Sequence, residues 1–398
     1  MVNDKNCRMN KIDKIVFFIS SPFNQRDYSR FGIETLEKNG FDVEVWDFTP
    51  IVYPQVEGVV IPNDPVNYDK HHKFEYKKDF ILAIGKLKNV FVINFCPYTP
   101  AALFIYRALS RFKIPYSVFM ANAIPFGQKR ELNIAWFYSK IKRITLNKLF
   151  NFIFPLIPSS YLGVHPPAFI LAGGEKSLIY KYPVSEETEI IWLHTLDYDI
   201  YLEEKECFET SNNTAVFLDE YLPFHEDYFF LSMTPYSTAD KYYPALCNFF
   251  DYVEDKCDVE LIIAAHPRSH YEQLPDYFNS RSVIRGDTIN LVKKSRFVIA
   301  HASTSINFPV LLRKPIVFIT TNELNNSPEG YAIRSFAGLL NKETINIDEE
   351  YSIDWEKELC VDEQAYNNYI NSYIKIKGSK EKPFWEIVAE RLRNYDRT

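Results

Sequence analysis

The chain has 398 residues, 46% of them hydrophobic and 24% charged, with a formal net charge of −7 at pH 7. That is enough chain for two domains with full cores, and the composition is that of a globular protein. The acidic balance excludes a general electrostatic role on nucleic acid, so no nucleic-acid partner is expected.

Cys7, Cys96, Cys207, Cys247, Cys257 and Cys360 are scattered, with no CxxC pair. They read as free thiols in a reducing compartment, not as a disulfide framework or a zinc site. The first apolar run is too short for a signal peptide, and no stretch reaches transmembrane length without charges. A cytoplasmic protein is expected, with room for peripheral contact at the inner membrane.

In chain order, KIVFFIS (Lys14 to Ser20) is a continuous apolar run, the pattern of a strand covered on both faces. A loop and a helix ending at Gly40 follow. FDVEVWDF reads as strand, DFILAIGKLKN as helix, VFVINF as strand, PAALFIYRALSRF as helix and PYSVFMAN as strand. This alternation predicts a parallel sheet whose strand-to-helix loops gather on one edge.

The pattern then changes. From Gly127 to Pro158 large apolar residues mix with Lys129, Arg130, Lys140, Lys142, Arg143 and Lys148 against the single acid Glu131. Segment 129–148 fits two readings equally: a basic amphipathic face on an anionic membrane, or a core helix with a solvated basic face. PPAFILAGG and TEIIWLHTLDYDIYL read as two further strands. The uneven, polar stretch from Glu203 to Asn213 then marks a domain boundary.

The second half starts the alternation again. TAVFLDEYLPF is a strand ending in acids, KYYPALCNFFDYVEDK a helix, and DVELIIAAHPR a strand. NLVKKS reads as a short helix, RFVIAHASTS as a strand entering a turn, INFPVLLR as a helix start and KPIVFITT as a strand. The tail EKPFWEIVAERLRNY is amphipathic. The expected architecture is α/β with two doubly wound, Rossmann-like domains facing a cleft. Residues 1–205 are expected to form the first domain, 206–375 the second, and 376–398 a helix that packs back across the domains.

Three stretches carry chemistry. In LIIAAHPRSHY, Pro267 holds His266 extended at a strand end, with Arg268 two residues on. An imidazole and a guanidinium there form a clamp for phosphate or carboxylate. Ser303, Thr304 and Ser305 offer three hydroxyls at the end of the next strand, more than a helix cap needs. Asp219 and Glu220 end the first strand of the second domain, where a carboxylate serves as general base or nucleophile. His225 is a candidate to orient that acid, and Asp240 a candidate helix cap. His194, Asp197 and Asp199 lie near the crossover between domains. No DxD sequence ends a strand, so no metal is expected.

The order of acidic pair, HP dipeptide and serine run resembles the GT-B glycosyltransferases that use CMP-activated keto-sugar acids, among them bacterial sialyltransferases. The phrases FLDEYLPFH, HTLDYD and AAHPRSHY resemble the bacterial β-Kdo transferases more closely. The motif resemblance spans Gly173 to Thr320. One departure is plain: the sialyltransferase acidic motif ends in glycine, and Tyr221 stands there in this chain.

The resemblance implies that His266 and Arg268 contact the CMP phosphate, that Ser303 to Ser305 cradle it, and that Asp219 acts at the anomeric carbon. It leans toward a covalent glycosyl-enzyme. Arg268 or Lys314 would meet the sugar's carboxylate. The implied activity is metal-independent transfer of a 3-deoxy-2-keto sugar acid, Kdo or a relative. The donor is a CMP-sugar, with no other cofactor, and the acceptor a lipid-linked surface glycan. Two rivals stand beside it: a UDP-sugar transferase or epimerase of the same fold, and a non-catalytic scaffold in polysaccharide assembly.

Overall fold

The computed structural model describes residues 11–125, 153–178, 182–204 and 213–395. Two parallel sheets organise them. The first runs in the order β3-β2-β1-β4-β5-β6-β7, from β1 (Lys14–Ile19), β2 (Asp42–Asp47), β3 (His71–Lys73), β4 (Val90–Asn94), β5 (Tyr116–Phe119), β6 (Phe169–Ala172) and β7 (Glu189–Trp192). The second runs β10-β9-β8-β11-β12-β13, from β8 (Thr214–Leu218), β9 (Glu260–Ala265), β10 (Val283–Arg285), β11 (Phe297–Ala300), β12 (Ile316–Thr320) and β13 (Thr344–Asn346).

In β1, Ile15, Phe17 and Ile19 join one apolar cluster while Val16 and Phe18 join another. The sheet is therefore covered on both faces, as a continuous apolar run requires. The second sheet is buried in one cluster that takes in β8, β9, β11 and β12. Together these are two doubly wound, Rossmann-like domains set face to face, a GT-B-like arrangement.

In each sheet the chain order reverses across one strand. β1 lies between β2 and β4, and β8 lies between β9 and β11. Helices on either side of such a strand diverge and leave a crevice at its C-terminal end. The two crevices face each other across the cleft.

Two expectations need correction. TEIIWLHTLDYDIYL is not one strand: β7 ends at Trp192, and Leu196–Glu204 is a helix. The chain leaves the sheet at its edge strand. Asp197 and Asp199 fall in the first helical turn, where acids are favoured, and Asn122 Oδ1 accepts from Leu196 N at 3.0 Å. The helix expected to run to Gly40 is two short helices, Gln25–Arg30 and Ile33–Lys38, broken at Gly32 with φ +53°. Segment 129–148 lies outside the described residues. Among the described residues no helix is long and apolar enough to cross a membrane.

The C-terminal helix Phe384–Arg393 packs on the first domain. Phe384, Trp385, Ile387, Val388 and Leu392 join the cluster that holds Phe17, Phe31 and Leu36. Trp385 Nε1 donates to Arg30 O at 2.6 Å, and Asp199 Oδ1 accepts from Phe384 N at 2.9 Å. The break at Gly32 is what admits the indole, since an added Cβ would lie 2.2 Å from Trp385 Cδ1. Gly32→Ala therefore combines overpacking with a left-handed backbone. It should cost about 1–3 kcal/mol, read as a lower urea midpoint at unchanged slope.

Candidate functional site

The site is built on the end of β8. Asp219 and Glu220 follow directly, and their carboxylates reach in opposite directions. Asp219 Oδ2 accepts from His266 N at 3.2 Å and from Tyr271 Oη at 3.0 Å, both just beyond β9. Its Oδ1 accepts from Tyr221 N at 2.9 Å. Glu220 Oε1 accepts from Ala302 N at 2.7 Å, just beyond β11. The two acids thus tie the exits of three adjacent strands together.

Tyr221, in the place of the motif glycine, has φ +55°. The left-handed conformation that favours glycine is kept here with a side chain. The Tyr221 ring packs edge-on against Tyr271 at 5.1 Å and at a tilt against Phe224 at 5.3 Å, which offsets the backbone cost of about 1–2 kcal/mol.

His266 is half-buried. Burial, reinforced by the neighbouring His225 and by the charges of Arg268 and Arg26, holds its pKa well below the ordinary histidine value, so the ring is neutral at pH 7. Nδ1 accepts from Arg268 N at 3.2 Å, which leaves the proton on Nε2 as a donor. His225 packs beside it with ring centroids 4.8 Å apart and the rings tilted at 59°, and its Nδ1 accepts from Asp227 N at 3.1 Å. His225 therefore supports His266 and does not orient Asp219. The loop is gripped from the first domain as well, where Asn63 Nδ2 donates to Pro267 O at 3.1 Å and Ser269 O at 2.9 Å.

Ser303 caps the turn after β11, its Oγ accepting from Ser305 N at 3.2 Å. The Thr304 side chain is exposed to the cleft and Ser305 is half-buried. Two large cavities meet here. One, of about 600 Å³, is walled by Glu220, His225, His266, Arg268, Ser303 and Glu329. The other, of about 540 Å³, is walled by Leu196, Arg285, Gly286, Ser305, Phe308 and Trp385 among others. Thr304, Arg26 and Arg30 line both. The acidic, HP and serine stretches are thus brought to one place, at the crevice of the second sheet.

Within that place the two acids differ. Asp219 is enclosed by its three donors and lines none of the cleft cavities, whereas Glu220 faces the larger one. Burial raises the Asp219 pKa to about 6 despite those donors. Three lesser expectations also change. Thr238, not Asp240, occupies the cap position of helix Ala239–Cys257. Lys314 stands at the entry of β12, on the sheet edge away from the cleft, where Nζ donates to Ser295 O at 2.7 Å. It cannot meet a ligand in the cleft. His194 is buried, with its two ring nitrogens 2.9 Å from Thr195 O and 3.0 Å from Lys382 O, so it fastens the linker to the returning C-terminal segment.

Two residues that line the cleft have no motif around them in the sequence. Arg26, in the short helix after β1, reaches the cleft from the first domain. Glu329, in the first turn of helix Pro328–Leu339, brings a second carboxyl beside Glu220. Asp197 does shape the cleft: Oδ1 pairs with Arg30 Nη2 at 2.5 Å and Oδ2 accepts from Asn307 Nδ2 at 3.1 Å, which links the two domains.

Burial raises the pKa of both cleft glutamates, and the charge of Glu329 pushes Glu220 further. For Glu329 the value rises from 4.5 to about 7. The folded protein then binds more protons than the unfolded chain between those values, so stability is lost as pH rises through the window. Glu329→Gln should therefore raise stability above pH 7 by roughly 1–3 kcal/mol and change it little below pH 4.5. Urea midpoints at pH 4.5 and pH 8 measure the difference.

No family model and no curated protein matches the chain. Similar solved structures include UDP-GlcNAc 2-epimerase from Methanocaldococcus jannaschii in complex with UDP-GlcNAc and UDP, at 14% identity over 95% of this chain and 99% of that one, TM-score 0.45. S. aureus MnaA with UDP is 13% identical over 96% and 95%, TM-score 0.48. Acinetobacter baumannii MurG is 9% identical over 96% and 100%, TM-score 0.46. The likeness concerns backbone architecture alone and assigns no ligand to this chain.

Proposed function

We propose that the protein is a metal-independent glycosyltransferase that moves a 3-deoxy-2-keto sugar acid from its CMP donor to a glycan acceptor. One observation carries the reading: two chambers of ligand size meet at a turn of three hydroxyls, beside a neutral imidazole donor and a cluster of cations. Such a site suits a bipartite ligand with an anion at its middle. The nucleoside lies in the 540 Å³ chamber, the sugar in the 600 Å³ chamber, and the phosphate at Ser303, Thr304 and Ser305.

In the transfer step the acceptor's hydroxyl oxygen bonds to the anomeric carbon as the bond from that carbon to the phosphate oxygen breaks, and CMP leaves with the electron pair. His266 Nε2–H, the serine-turn hydroxyls and Arg268 meet the charge that develops on the leaving phosphate. A carboxyl whose proton affinity is raised by burial is suited to taking the acceptor hydroxyl's proton, and Glu220 is the acid of the motif that faces the sugar chamber. Asp219 is its positioning neighbour. Segment 129–148, with its six cations, is the part proposed to approach an anionic membrane that carries a lipid-linked acceptor.

Titration calorimetry with CMP, UDP, GDP and ADP tests the donor. CMP should bind most tightly, and His266→Ala should weaken it by about 1–3 kcal/mol. Unchanged CMP affinity in that variant removes His266 from the phosphate site, and a preference for UDP selects a UDP-sugar enzyme of the same fold. Glu220→Gln should keep CMP affinity and lose transfer by roughly 100-fold or more, on the scale of general-base catalysis. Turnover at the wild-type rate would show that another group takes the proton.

A further inference from the structure

Arg26 differs from the other cations in the cleft. Arg30 is paired with Asp197 at 2.5 Å. Arg268 lies 3.6 Å from Asp227 Oδ1 and 3.7 Å from Glu226 Oε2. Among the described residues no hydrogen bond or ion pair engages Arg26, although it lines all three cavities of the cleft. Asp27 and Asp197 are near enough to act on its charge, yet neither pairs with it. Arg26 is half-buried, and its guanidinium is open to the cleft cavities instead of sealed in the core. Burial, with Arg30 and Arg268 adding like charge, lowers its pKa to about 10, and it stays charged at pH 7. An unpaired guanidinium that keeps its charge on the lining of a cleft is placed to meet an anion there.

The phosphate already has its own receptors on the second domain, in the serine turn and the HP loop. Arg26 comes from the opposite side, from the crevice at the end of β1, and faces the sugar chamber together with His266 and Arg268. Resting on the donor reading above, we propose that Arg26 binds the carboxylate of the donor sugar and is the residue that selects an acidic sugar over a neutral one. Because the phosphate is held by one domain and the carboxylate by the other, a donor bearing both groups bridges the cleft. A neutral-sugar nucleotide leaves Arg26 unpaired.

The test compares CMP, a CMP-activated sugar acid (CMP-N-acetylneuraminate) and a neutral-sugar nucleotide (UDP-N-acetylglucosamine) by calorimetry on wild type, Arg26→Gln and Arg26→Lys. Wild type should bind the CMP–sugar acid more tightly than CMP. Arg26→Gln should lose roughly 10- to 100-fold for the sugar acid, the scale of a charge-assisted hydrogen bond, and change less than about twofold for CMP and for the neutral-sugar nucleotide. Arg26→Lys should recover part of the loss. Equal losses for CMP and the sugar acid would assign Arg26 to the phosphate and overturn the proposal. A wild-type preference for the sugar acid that survives Arg26→Gln overturns the role of Arg26 alone. A wild type that binds CMP as tightly as the sugar acid overturns the sugar-acid reading, and the role of Arg26 with it.

Discussion

The paired carboxylates at the end of β8 hold the cleft in shape. A strand at the reversal point of a doubly wound sheet has neighbours whose onward chains part company, so the loops beyond it share no ladder hydrogen bonds. Asp219 supplies the missing ties toward β9, and Glu220 the tie toward β11. The HP loop and the serine turn thereby keep a fixed separation although no regular structure joins them. Asp219 takes an enclosed position and Glu220 a half-buried one to do this, and this loss of water is also what raises their proton affinity. One physical cause thus fixes the geometry and sets the acid–base character.

Charge is distributed unevenly around that frame. The HP loop and the helix after β1 contribute cations and imidazoles, while β8 and helix Pro328–Leu339 contribute carboxyls. The two sets share a chamber with little direct pairing between them; of the acids that neutralise the arginines, Asp197 and Glu226 do not line it and Asp227 does. A polar cavity with separated sets of charge is pre-arranged for a ligand that carries an anion at one end and a reacting hydroxyl at the other.

The central strands were legible in the sequence because burial on both faces leaves unbroken apolar runs such as 90–93 and 316–319. The edge strands β3, β10 and β13 have three residues each and partly exposed side chains, so they leave no such run. His266 and Ser303 to Ser305 were legible because their chemistry is local: a proline fixes one and adjacency marks the others. Arg26 and Glu329 were not, because each is an ordinary charged residue near the start of a helix, and only the tertiary fold carries it to the cleft. The roles of Asp219 and Glu220 were hidden for a related reason. Adjacent residues leaving a strand point to opposite sides, and the sequence alone does not say which side is the cavity.

The return of helix Phe384–Arg393 to the first domain has a consequence for biosynthesis. The first sheet is complete in the nascent chain at Trp192, long before the helix that covers one of its faces has been made. Until then Phe17, Phe31 and Leu36 lack the partner that shields them from water. The second domain carries its own closed core and has no such debt. The half of the protein translated first is therefore the half that finishes folding last, and a chaperone that shields apolar surface would act on it during that interval.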